Sequence, residues 1–336
     1  MGVSPTLADI LAARAVLRGR ADATPLVPSP YMSMRSGQDF LLKLELAQPI
    51  GAFKLRGALN AVMSLPDGVA GVTCCSTGNH GRGVAYAAAL RGMRAVVCMS
   101  RLVPQAKVDG IRALGAECQI GGGSQDEAQI EARRLVEAEG LVEIPPFDDP
   151  RVIAGQGTIG LELLEARPDL ETLLVPLSGG GLAAGVALAA KAIKPGIRVV
   201  GISMDRGAAM RASLAAGRPV EVEEVESLAD SLGGGIGLDN RLTFTLCRDL
   251  LDEVVLVTEE EIRDAMQALY FEDCLVAEGA SVVGLAAILS GKLALTGPAA
   301  TIITGRNLDM DRFTRIVTGQ DVTLGDRLLK GKPHGT

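Results

Sequence analysis

The stretch Thr172-Leu173-Leu174-Val175-Pro176-Leu177-Ser178-Gly179-Gly180-Gly181-Leu182-Ala183-Ala184 decides the fold class. Its first six residues form a short apolar run that reads as a strand. Residues 178–181 read as a turn, and the apolar run 182–192 reads as a helix. A strand that delivers a glycine-rich turn to a helix N-terminus makes an anion site. Without Cβ atoms the backbone N–H groups converge, and the positive end of the helix dipole adds attraction. No Lys-Ser or Lys-Thr follows the glycines, so the turn is not an ATP-type phosphate loop. A tight packing turn between strand and helix is the plainer reading of the same residues.

Outward from this unit the alternation repeats. Strand-like runs lie at 41–46, 72–76, 95–100, 117–120, 141–144, 172–177, 198–203, 253–258 and 301–304. Helical patterns fall between them at 79–90, 124–139, 152–164, 181–192, 259–271 and 279–289. Apolar strands without clean polar alternation imply sheets covered on both faces, as helical crossovers produce. The class is α/β, with two open, twisted, mostly parallel sheets flanked by helices. Ser4 reads as the N-cap of the first helix and Pro5 as its first residue. Pro145-Pro146-Phe147-Asp148-Asp149-Pro150 is the clearest mid-chain break. We place a small domain at 71–149, a larger one over 1–70 and 150–325, and a flexible tail at 326–336.

Composition narrows the function. The chain has 336 residues, 48% of them hydrophobic, and a formal net charge of -7. That charge gives no pull toward phosphate backbones, and no Trp is present to stack on bases, so nucleic-acid binding is disfavoured. The most apolar stretch, 182–190, is short of the ~20 residues a membrane-spanning helix needs. The six cysteines include no CxxC pair and read as reduced thiols of a cytoplasmic protein. The two histidines are His80 and His334, which excludes a multi-histidine metal site. No Gly-x-Ser-x-Gly turn is present to serve a serine hydrolase.

Two further segments complete a constellation. Lys54 lies in Gly51-Ala52-Phe53-Lys54-Leu55-Arg56-Gly57, and a polar turn follows at Ser76-Thr77-Gly78-Asn79-His80-Gly81. A lysine among small residues and one aromatic ring loses hydration, its neutral amine gains ground, and it becomes able to form an imine. The ordinary alternative is a solvated lysine. The side chains and N–H groups of residues 76–81 suit a carboxylate and a ring hydroxyl, or else merely start a helix. Taken together, an imine-forming amine, a polar turn and a phosphate cradle are the equipment for holding pyridoxal 5'-phosphate. A nicotinamide-binding fold is the rival, because Gly179, Gly181, Gly185 and Asp205 approximate its fingerprint. It gives no role to Lys54 or to the Asn79 turn. A non-catalytic amino-acid-binding protein is a third class.

These motifs resemble the threonine dehydratase and serine racemase family, the fold-type-II pyridoxal phosphate enzymes, whose fold is like that of the tryptophan synthase β chain. The likeness extends to Val152-Ile153-Ala154-Gly155-Gln156-Gly157-Thr158, Ile236-Gly237-Leu238 and Thr304-Gly305-Arg306-Asn307. Within the family, Gly-Ala-Phe-Lys, Asp230-Ser231-Leu232-Gly233-Gly234-Gly235 and residues 203–210 look like the hydroxyectoine utilization dehydratases. The resemblance implies that Lys54 holds the cofactor as a Schiff base and that Phe53 packs on its ring. It implies that Asn79 bonds the ring hydroxyl, that Ser178, Gly179, Gly180, Gly181 and Leu182 hold the phosphate, and that Thr304 meets the pyridine nitrogen. Glu278 falls near the ring edge, where it orients the pocket. Ser76, Thr77, Gly78, Asn79 and His80 would bind the substrate carboxylate, with Arg306 as a clamp or a surface residue. Thr77 is a second catalytic candidate, on the opposite ring face from Lys54.

The implied reaction is β-elimination of water from a β-hydroxy amino acid, followed by release of ammonia, in a cytoplasmic homodimer. Threonine or serine dehydration and serine racemisation are the neighbouring readings. Several residues depart from the family pattern. Ala52 stands where a serine is usual, Ser178 replaces a glycine of the phosphate turn, and Arg306 replaces another glycine. Ser203 and Ala209 stand where the racemases carry cation-binding acids, so no metal is expected. The regulatory extension of the biosynthetic threonine dehydratases is also not expected.

Overall fold

The computed structural model describes residues 3–76, 78–101, 103, 105–123 and 125–335. Among these, twelve strands form: β1 (Leu26–Pro28), β2 (Phe40–Lys43), β3 (Val72–Cys75), β4 (Ala95–Met99), β5 (Glu117–Ile120), β6 (Val142–Glu143), β7 (Thr172–Pro176), β8 (Arg198–Met204), β9 (Glu253–Val257), β10 (Ala299–Ile302), β11 (Val322–Leu324) and β12 (Arg327–Leu329). A six-stranded sheet runs β1-β2-β10-β7-β8-β9, and a four-stranded sheet runs β5-β4-β3-β6. All their pairings are parallel except β1 with β2.

Burial explains why these strands read as unbroken apolar runs. Leu42, Leu174 and Val200 face one core of the larger sheet, while Leu41, Leu173, Val175 and Val199 face the other. Successive side chains point to opposite faces, and helices cover both, so neither face selects for polar residues. β1 escapes sequence reading because three residues are too few to show a period. Pro28, which lacks an N–H, ends this edge strand.

Two expectations are corrected. The first helix, Leu7–Leu17, is capped by Thr6 and not by Ser4. Thr6 and Asp9 form a reciprocal capping box, in which the Thr6 N–H donates to Asp9 Oδ2 at 2.7 Å; this satisfies two helix-end donors at once. The segment 326–336, expected to be a flexible tail, instead supplies β12 to a hairpin. β11 and β12 pair antiparallel, Leu324 and Leu329 are buried, and the His334 ring stacks on Phe271 at 5.0 Å. Three alternating apolar residues among polar ones suffice to anchor it.

The helix Lys54–Met63 packs against both Asn79–Arg91, which follows β3, and Pro150–Ala166, which leads toward β7. It therefore sits where the two sheets' helical layers meet. Arg56 fixes it from within. Its guanidinium donates to both oxygens of Glu45 at 2.8 Å and to Glu162 at 2.6 and 2.9 Å. Lys43 also reaches Glu162, at 2.5 Å. Arg56 and Glu45 are fully buried, so each charge requires the other, and removing one partner strands the remaining charge in the core.

Pro150–Ala166 and Gly181–Ile193 approach each other so closely that a Cβ on Gly185 would overlap Ile153 O and lie 2.7 Å from Gly157 N. We expect Gly185→Ala to destabilise the fold by about 1–3 kcal/mol through overpacking. The contrasting variant is Gly196→Ala, whose Cβ meets nothing within 4 Å. It should stay within about 0.5 kcal/mol of wild type in urea unfolding.

Candidate active site

The lysine is presented by a backbone ladder. Phe53 N donates to Thr304 O at 2.9 Å, Arg306 N donates to Gly51 O at 2.9 Å, and Ala52 bridges Gly305. Gly51 has φ 76°, a left-handed conformation that glycine accepts without strain. The segment that follows β10 thus positions the loop that starts the Lys54 helix.

Lys54 Nζ donates to Pro146 O at 2.8 Å and lies 5.5 Å from the centre of the Phe53 ring. Burial lowers its pKa to about 8, against an opposing pull from Glu278. A minor uncharged, nucleophilic fraction of the amine is therefore present near neutral pH and grows above it. Phe53 is itself part-buried against the core of the larger sheet.

The glycine turn lies across from the same segment that holds the amine. The helix Gly181–Ile193 starts at Gly180, which has φ 89° and no side-chain cap. Its first N–H groups have no partner within the helix and converge on the turn. A Cβ at Gly179 would overlap the Phe147 ring, and one at Gly180 would lie 2.7 Å from Met210 Cε. The cradle exists only because these residues are glycines. Ser178 is part-exposed beside it, and Leu182 is buried in the core.

The segment 145–150, legible in sequence only as a break, joins these parts. Pro146 holds the lysine, and Phe147 packs on the turn. Asp148 accepts from the N–H groups of Arg241, Leu242 and Thr243 and so caps the helix Leu242–Leu250. Asp149 caps Pro150–Ala166. The proline-acid pattern is the available signal, since two adjacent aspartates ahead of a proline are cap residues.

Thr77 lies outside the described residues. Gly78 begins the helix Asn79–Arg91 without a side-chain cap, and its N–H donates to Ser76 Oγ at 3.4 Å. Asn79 Nδ2 donates to both oxygens of Glu278 at 3.2 Å, and Asn79 Oδ1 accepts from Asn307 Nδ2 at 2.7 Å. Asn307 also donates to Ile50 O. Glu278 is 3% exposed, and its N–H donates to Gly305 O. Burial, reinforced by Asp230, raises its pKa to about 7, with the hydrogen bonds from Asn79 and Ser231 opposing. Asn79 therefore joins the Lys54 loop through Glu278 and Gly305.

His80 is held elsewhere. Its Nε2 is 2.7 Å from Ile144 O, its Nδ1 is buried without a partner, and burial together with nearby Lys54 lowers its pKa to about 3. The ring is neutral and tied to the small sheet, so only the backbone of His80 is available to the polar turn. Thr304 is buried, with its hydroxyl 2.9 Å from that of Ser281. The Ser281 hydroxyl also bonds the backbone N and O of Gly305. Sequence reading misses Ser281, whose lone hydroxyl in a small-residue stretch carries no pattern. Arg306 is exposed beside Gly51, and its guanidinium makes no ion pair among the described residues. Among the described residues no group of three or more His, Cys, Asp or Glu side chains could hold a metal ion. No helix of the described residues is long and apolar enough to cross a membrane.

A buried lysine and a glycine turn held by one segment, Pro146 on the amine and Phe147 on the turn, define a class of cofactor site. The family model of pyridoxal-phosphate dependent enzymes matches residues 18–305, and the chain belongs to that family. A Sinorhizobium fredii protein, provisionally named a threonine dehydratase, is 52% identical over 317 residues, covering 94% of this chain and 96% of its own. The L-threonine ammonia-lyase of Thermotoga maritima is 42% identical over 327 residues, covering 96% and 81%. The structure of maize serine racemase superposes with a TM-score of 0.88 at 34% identity, covering 93% of this chain and 97% of its own. The cofactor is pyridoxal phosphate, and the residues present fit it. The uncapped glycine turn suits its phosphate, and the buried amine suits its aldehyde.

Glu278 gives a signed pH dependence. Its carboxyl is held above its ordinary value, so the folded protein retains a proton that the unfolded chain has lost. Stability from this group is then full below about pH 4.5 and is lost as pH rises toward about 7. In the cofactor-free protein Glu278→Gln should remove that loss, leaving the variant more stable than wild type at pH 8 relative to pH 4.5. The difference is about 3 kcal/mol at most, and equal pH slopes in urea unfolding would refute it.

Proposed function

We propose that the protein eliminates water from a β-hydroxy amino acid, and that hydrolysis of the product yields a 2-oxo acid and ammonia. The observation that carries this reading is Lys54 Nζ, a desolvated amine with a pKa near 8 aimed by the Pro146 carbonyl. Bound pyridoxal phosphate supplies an electron sink that lets the α-proton of an amino acid leave.

The chain's own residues do the rest. Lys54 takes the α-proton on Nζ, because burial favours its uncharged form. The N–H groups of residues 179–182 hold the phosphate, and Phe147 closes the wall beside them. Thr304, hydrogen-bonded to Ser281, would meet the ring nitrogen of the bound cofactor. A hydroxyl is a weak donor there, which favours prompt elimination over longer-lived carbanion chemistry. Glu278, which retains a proton near neutral pH, keeps Asn79 oriented toward the ring hydroxyl. Residues 76–80 bind the substrate carboxylate, and Thr77 would serve as a second proton carrier, as the resemblance implies. Arg306 clamps a second carboxylate on larger substrates.

For the substrate, Gly-Ala-Phe-Lys and residues 230–235 favour a hydroxyectoine-derived β-hydroxy amino acid. The turn Asp230–Leu232 acts directly on Glu278, so variation there falls on the pocket. The likeness to a threonine ammonia-lyase favours threonine as the second reading. A cytoplasmic homodimer completes the proposal, as the resemblance implies.

The purified protein should be yellow, with absorbance that borohydride bleaches. Lys54→Ala should lower ammonia release at least about a thousandfold, and an undiminished rate would dispose of the catalytic assignment. A panel of L-threonine, L-serine, 3-hydroxyaspartate and the hydroxyectoine-derived compound, followed by 2-oxo acid formation, ranks the substrates. A higher kcat/KM for threonine selects the second reading.

A further inference from the structure

A cavity lies away from Lys54, beyond the carboxyl end of β8, and none of the active-site residues lines it. It is open to solvent, has a volume of about 580 Å³ and is lined by Asp205, Arg206, Arg211, Glu223 and Asp326, together with Leu256. Asp326 reaches it from the turn between β11 and β12, so the C-terminal hairpin completes the ring. None of the five charged side chains is ion-paired among the described residues. Arg206 Nη1 is closed off from solvent and has no hydrogen-bond partner. Buried polar groups are normally satisfied, so an unpaired guanidinium nitrogen marks a contact still to be made.

The arrangement of charge selects the ligand. A simple anion would meet three carboxylates, and a simple cation would meet two guanidinium groups. A small molecule with both charges satisfies the two sets together, its carboxylate on Arg206 and Arg211 and its ammonium on the acids. From this juxtaposition we propose that the cavity is a non-catalytic binding site for a small zwitterion of the α-amino-acid class. Arg211 adjoins Met210, whose Cε closes on Gly180 of the phosphate turn, so the cavity is one residue from the cofactor cradle. The inference does not depend on which amino acid the enzyme consumes.

Titration calorimetry on the holoenzyme tests it with N,N-dimethylglycine and L-proline, neither of which has the primary amine that condenses with the cofactor. At least one should bind at one site per chain without changing the cofactor spectrum. Arg206→Gln and Asp326→Asn should each weaken it at least tenfold, while Arg206→Lys retains part of the affinity. Asp326 lies on an exposed turn, so its variant reports even if Arg206→Gln fails to fold. The proposal is overturned if neither probe binds wild type, or if the variants bind as wild type does. Glycolate binding as tightly as N,N-dimethylglycine would also overturn it, since the site would then serve anions alone.

Discussion

A primary amine kept out of water is the constraint around which the rest of this structure is arranged. Lys54 has a usable uncharged fraction near neutral pH because burial disfavours its ammonium form. A buried amine also needs a hydrogen-bond partner, and Pro146 O provides one. That carbonyl belongs to a six-residue segment that also touches the glycine turn and two helix starts. Phe147 packs on the glycine turn, and Asp148 and Asp149 each cap a helix. The segment thus ties the amine, the phosphate cradle and two helix ends together within one stretch of backbone.

The charges are segregated to serve that arrangement. Arg56, two residues from the amine, is consumed by Glu45 and Glu162, which hold it firmly protonated despite its burial. It anchors the helix without lending charge to the cleft. On the other side Glu278 is protonated up to about pH 7, and His80 is neutral throughout the physiological range. The groups nearest Lys54 therefore carry little fixed charge, which suits a site that must accept a phosphate and an amino acid's carboxylate. The helix N-termini offer directed donors that require no full charge.

Much of this arrangement is legible in the order of residues alone. The strand, glycine turn and helix at residues 172–192 point to the α/β class, because a parallel sheet covered on both faces leaves an apolar signature that survives in one dimension. Lys54, Asn79, residues 178–182, Glu278 and Thr304 each stand in a local motif with a chemical purpose. The mismatches fall where local pattern is weak. Thr6 outcompetes Ser4 because its box with Asp9 satisfies two donors. The C-terminal hairpin escapes sequence reading because its anchoring residues are few and spaced among polar ones.

By itself, then, the sequence determined which residues have the chemistry: a potential imine-forming amine, a backbone able to bind phosphate, and polar turns for a small acid. Only the tertiary structure decided which of them meet, that the amine is desolvated, that His80 faces a carbonyl and not the cleft, and that Ser281 stands beside Thr304. The physical reason is distance along the chain. Motif, turn and most helix caps arise from neighbours a few residues apart, the cap that Asp148 gives Leu242–Leu250 being the exception. Burial, pKa and the Asn79–Glu278 and Lys54–Pro146 contacts depend on partners roughly a hundred or more residues away, which no local periodicity can report.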